Sequence, residues 1–133
     1  MLINLSNHPV ENWGQKQLSE ARKLYGKVID IAFPYIYPLA NETEVGNSAK
    51  EYFDKCIELL SKSSDERNAV HLMGELTFVF SLTQMLLYEG VEVIASTTER
   101  RVKEINNKKI SEFNFVRFRK YLLINKKGKS KNA

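Results

Sequence analysis

Cysteine is almost missing. Cys56 stands alone among 133 residues, so no intrachain disulfide can form, and a chain of this length buries an adequate core without one. A lone thiol suits a reducing setting, and a cytoplasmic location is the expectation. Histidine is scarce too. His8 and His71 are far apart in sequence, and with one cysteine they offer no metal-ligand spacing; neither a metal nor a cofactor is expected. Six glycines are too scattered for the dinucleotide fingerprint or for a phosphate loop with its lysine. The G-x-S-x-G elbow that carries a Ser-His-Asp triad is absent as well. No apolar run is long enough for a membrane span, and MLINL is too short for a signal peptide.

Charge is abundant but unevenly placed. Residues 1–97 hold 8 Lys/Arg against 13 Asp/Glu, whereas residues 98–133 hold 12 against 3. Four of those twelve are lysines of NKKGKSKNA, a composition that predicts a disordered tail over 125–133. The remaining basic excess is local: Arg100, Arg101, Lys103, Lys108, Lys109, Arg117, Arg119 and Lys120. It reads either as a solvated hairpin surface or as an anion-binding face. Duplex nucleic acid is not expected as a partner.

The periodicities alternate. LINLS, KVIDIAF, NAVHLM and VEVIAS have the length and apolar content of strands. QKQLSEARKLY and EVGNSAKEYFDKCIELLSKS carry apolar stripes at helical spacing. ELTFVFSLTQMLLYEG is apolar around most of its circumference and predicts a deeply buried helix. After VEVIAS, the polar segment STTERR reads as a strand exit. Beyond it, Asn106-Asn107 between two β-prone runs signals a hairpin at about 98–121. The order β-α-β-α-β-α-β plus hairpin predicts one α/β, Rossmann-like three-layer domain over 1–124, mostly parallel, with a C-terminal antiparallel hairpin.

Open α/β sheets bind ligands outside the carboxyl ends of their strands. Here those exits are SNHPVENW, FPYIYPLAN, MGELTF and STTERR, and three of the four are dense in polar groups. Ser6, Asn7, Gly74, Thr77, Ser96, Thr97 and Thr98 are therefore candidate ligand contacts. Gly74 allows a tight turn that exposes the first amides of the following helix to an anion, although Glu75 there also has a purely structural reading as a dipole-favoured acid. Thr77 is read first as a core threonine bonded back to the helix and only second as a ligand contact, His71 as a packed core residue, and Trp13 as a cover over the first helix. His8, in a polar loop, is a candidate for proton transfer. If STTERR is extended, Arg100 and Arg101 face opposite ways, and only Arg100 joins the hydroxyls.

LINLSNHP, VHLMGELTF, ASTTER and EFNFVRFRKY together resemble small stand-alone CRISPR-associated Rossmann-fold (CARF-like) proteins of the ring nuclease type, over nearly the whole chain up to Tyr121. The resemblance implies a cyclic oligoadenylate ligand, the second messenger of type III CRISPR immunity, held across the two-fold axis of a homodimer. It implies cleavage without metal, by setting a ribose 2′-hydroxyl in line with its neighbouring phosphate. His8, Glu75 and Arg100 are then the candidate catalytic residues, chosen by position. A chain ending after its sensor part has nothing to switch, which favours a degrader. The alternatives are a nucleotide-sequestering module and an interaction protein that works through its hairpin.

Overall fold

The computed structural model describes residues 1–125, 127–128 and 130. Strand β1 (Leu2–Ser6) leads through a short 3-10 turn (Val10–Asn12) into helix α1 (Gln15–Tyr25) and strand β2 (Val28–Asp30). Helix α2 (Glu42–Ser61), strand β3 (Ala69–Met73) and helix α3 (Leu76–Tyr88) follow, and then the long strands β4 (Glu92–Ile105) and β5 (Lys108–Lys120). The sheet order is β2-β1-β3-β4-β5. The first four strands pair in parallel and β5 is antiparallel to β4. This is the expected α/β, Rossmann-like architecture with its C-terminal hairpin.

Alternation along the strands sorts two cores. Odd residues of β1, such as Ile3 and Leu5, pack with Val70, Leu72 and Val93 beneath α2 and α3. Leu2, Ala69, Ile94 and Phe118 pack beneath α1 with Trp13, Ala21 and Tyr25. Asn41 caps α2 by accepting from the Glu44 amide at 2.9 Å, and Gly26, at φ 79°, ends α1 in the left-handed region where glycine costs least. Cys56 is fully buried in the α2–α3 layer, and burial pushes its thiol up to about 12.

Two expectations need correcting. STTERR is not an exit: β4 continues through it to Ile105 and pairs with β5 along its length, with a bulge between Thr97 and Thr98. Its polarity reflects a ribbon that runs beyond the parallel strands with solvent on both faces, where threonines and charged residues serve as well as apolar ones. Asn106 and Asn107 close the ribbon with φ of 53° and 62°, the pair of positive values that a two-residue hairpin turn requires. Nor is α3 deeply buried all round. Leu76, Phe80 and Tyr88, on one i, i+4 stripe, are 82%, 64% and 73% exposed, because the sheet and α2 cover only one side of the helix.

In the expected tail, the Asn125 carbonyl accepts from the Gly128 amide at 2.9 Å, and Ile124 bridges to Ser130. Residues 126, 129 and 131–133 of that tail lie outside the described residues.

Candidate functional site

The strand order reverses between β1 and β3: α1 leads from β1 to β2 on one side, and α2 returns to β3 on the other. That reversal is where doubly wound sheets open a crevice at their carboxyl edge. Pairing sets four polar side chains in one row there. Asn4 is opposite Asp30 on one side and His71 on the other. His71 is opposite Ile94, and Ser96 follows two residues later on the same face.

The row is continuously hydrogen-bonded. Asn4 Nδ2 donates to Asp30 Oδ1 and to the His8 carbonyl, each at 2.8 Å. Asn4 Oδ1 accepts from Ser6 Oγ at 2.8 Å and meets His71 Nδ1 at 2.9 Å. All four bonding positions of this amide are used, and the two acceptors around Nδ2 fix which end is nitrogen. Asn4 Oδ1 can only accept, so His71 carries its proton on Nδ1, and Nε2 accepts from Ser96 Oγ at 2.6 Å. Gln17 Nε2, in the first turn of α1, donates to the same serine oxygen at 2.9 Å. Burial, followed by the nearby charge of His8, lowers the His71 pKa to about 4. The ring is therefore neutral at pH 7.

Aromatic rings seal the row from the α1 side. Trp13 stands edge-on to His71 at 5.1 Å and Phe118 at 5.9 Å, while the Trp13 indole donates to the His8 carbonyl at 3.0 Å. On the other flank a cleft of about 220 Å³ opens between the ends of β1 and β2. It is lined by Ser6, Asn7, Pro9 and residues 30–33. Both Asp30 oxygens accept from the Val10 amide at 3.2 Å, and this exposed residue is part of the cleft lining.

The other sequence candidates are spread out. Ser6 and Asn7 line the cleft. The His8 main chain is the anchor of the loop, and its imidazole is exposed. Glu75 is the cap of α3: it accepts from the Thr77 and Phe78 amides at 3.0 and 2.9 Å, and from the Thr77 hydroxyl at 2.7 Å. Those bonds, with the Phe78 amide foremost, hold its carboxyl below the usual range. The amides expected to receive an anion are thus occupied by the chain's own carboxylate, and Thr77 serves that cap. Gly74 answers to packing, since a Cβ there would run into the Phe33 ring.

Thr97 sits at the bulge, its hydroxyl bonded to the Arg117 carbonyl at 3.1 Å. Thr98 and Arg100 share the face of Ser96, and Arg101 takes the opposite one. Arg100, however, lies four residues along the ribbon, ~13 Å beyond Ser96 at strand rise, and donates to Ser111 at 3.0 Å. Within one copy, Arg100 does not meet the cleft.

Asp30, Asn4 and His71 were not among the sequence candidates. Their signal was present: each is a polar residue between two apolar neighbours in a strand-like run. Only the strand order and register, which short strands do not announce, bring them to one level. Among the described residues no group of three His, Cys, Asp or Glu is arranged to hold a metal ion, and no helix is long and apolar enough to cross a membrane. A family model described as "Uncharacterized protein MJ1673 family" matches residues 1–119. No curated protein and no solved structure matches the chain.

Proposed function

The chain belongs to the MJ1673 family, whose match takes in both the polar row and the ribbon, and on that premise we propose that it binds a cyclic oligoadenylate and cleaves it without metal. The observation that carries the reading is Asp30. An acid at the end of β2, beside the switch point, stands where Rossmann-type sheets hold a ribose hydroxyl. A carboxylate accepting a bond from the 2′-hydroxyl is also positioned to take its proton as that oxygen attacks the adjacent phosphorus. The products are a 2′,3′-cyclic phosphate and a 5′-hydroxyl. Ser6 and Asn7 contact the sugar-phosphate from the end of β1.

Size supports a shared ligand. The cleft, at about 220 Å³, is smaller than the ~300–1,000 Å³ of typical small-molecule sites. It suits one nucleotide unit, so a ring requires a second copy, which is also the route by which Arg100 reaches a phosphate.

Incubation with cyclic tri-, tetra- and hexa-adenylate in EDTA tests the reading. Turnover of one ring is expected, falling by about a hundredfold or more in Asp30→Asn. If every ring survives micromolar protein, the enzyme reading is wrong. One observation favours a second reading, a non-catalytic sequestering module: the groups of the row are already satisfied by one another, as in a preorganised binding surface. Calorimetry showing tight ring binding without turnover selects it.

A further inference from the structure

The row ends in a half-buried serine backed by a histidine and an amide, in the order hydroxyl, neutral imidazole, acceptor. We propose that Ser96 is a nucleophile toward phosphate esters, with His71 as its general base and Asn4 as the positioning residue for the imidazole. This does not rest on the ring reading, in which the attacking oxygen belongs to the substrate.

Four observations carry it. Ser96 Oγ lies 2.6 Å from His71 Nε2, and His71 Nδ1 lies 2.9 Å from Asn4 Oδ1, the spacing that activated nucleophiles share across unrelated folds. The direction of both bonds is fixed, because the remaining positions on Asn4 are taken. Burial falls off toward the serine: Asn4 is 1% and His71 2% exposed, while Ser96 reaches solvent. Finally, Gln17 Nε2 stands 2.9 Å from Ser96 Oγ, in the first turn of a helix whose N-cap, Gly14, supplies no side-chain bond. A side-chain amide and the positive end of a helix dipole are suited to charge developing on a phosphoryl oxygen.

The step balances without a further reactant. Ser96 Oγ attacks phosphorus, its proton passes to His71 Nε2, and the Oγ–P bond forms. The bond from phosphorus to the leaving oxygen breaks, and that oxygen departs as an alcohol with the proton from Nε2. Water then repeats the attack, His71 takes one of its protons and returns it to Ser96 Oγ, and the phosphate product is released.

A biotin-linked fluorophosphonate reads the first half of this step, with fluoride as the leaving group. At pH 7.5 the full chain is expected to acquire one adduct, on Ser96 by peptide mass spectrometry. The native protein should label about a hundredfold faster than the same protein in urea. Ser96→Ala should abolish labelling, and His71→Gln should slow it about a hundredfold. Asn4→Leu should slow labelling at least about tenfold in the otherwise native chain but cause no further slowing in His71→Gln, because a residue that acts through the imidazole then has nothing left to position; a merely structural asparagine slows both backgrounds alike. No adduct at Ser96 on the native chain, native labelling no faster than in urea, or a rate unchanged in folded His71→Gln overturns the proposal.

Discussion

His71 shows how a single side chain ties stability to pH. Its ordinary value of 6.5 is lowered to about 4 in the folded protein, by burial and then by the charge of His8. As pH falls below 6.5 the unfolded chain takes up a proton that the folded one refuses. The stabilisation is therefore complete above 6.5 and declines toward 4, at ~1.4 kcal/mol per pH unit. Urea titrations at pH 7 and 5 should differ by roughly 2 kcal/mol from this source, and in His71→Gln that component should vanish. The comparison of pH 7 with pH 5 stays above 4.5, the ordinary carboxylate value, so the lowered carboxyls of Glu75 and Glu92 contribute chiefly below it. Read from sequence, His71 is a packed core histidine, and it is indeed buried. That both of its nitrogens are engaged follows only from residues 67 and 25 positions away, distances that local periodicity does not span.

Among elements, the junction of β3 and α3 is set by contact with a distant loop. Gly74 faces the Phe33 ring, which stands edge-on to Phe78 at 5.2 Å. Gly74→Ala is expected to lower stability by ~1–3 kcal/mol through overpacking, and Phe33→Leu in the same chain should recover part of it; thermal unfolding of the two variants checks both. The sequence makes the glycine conspicuous but not its neighbour, so a tight turn beside an anion was the natural reading. The elements themselves were far more legible. Stripes at helical spacing, apolar runs of strand length and the Asn-Asn turn placed every helix and strand in order, because those signals are local. The failures share a cause: the end of β4 and the exposed stripe of α3 depend on what lies alongside, and amphipathic pattern reports only what a segment is able to bury.

Over the whole molecule, charge and architecture divide at the same place. The acidic part of the sequence forms the parallel sheet and its helices, and the basic excess lies on the ribbon. The outer ribbon touches little but itself, with Val102, Ile105, Ile110 and Phe113 all exposed. Replacing residues 101–112 with Asn-Gly should therefore leave the fold intact and its unfolding free energy within ~1 kcal/mol, since surface changes away from packed groups rarely cost more. Chemical denaturation measures this. A larger loss would mean that the ribbon braces the sheet. An unchanged fold leaves it available for a ligand or a second copy, the division of labour that a sheet-plus-arm design implies.

The hub at Asn4 also bears on how the strands find one another during assembly. A slip of β1 by one residue would turn Asn4 toward the α2–α3 layer and set Ile3 or Leu5 against Asp30 and His71. The Asn4 amide and the His71 imidazole, both almost fully buried, would then be stranded away from water, each at a cost of ~1–3 kcal/mol. The short parallel strands β1, β2 and β3, five, three and five residues long, have few other means of rejecting a misaligned pairing. The asparagine thus works as an alignment key: the same four bonds that hold the imidazole in place allow only one way of stacking the sheet.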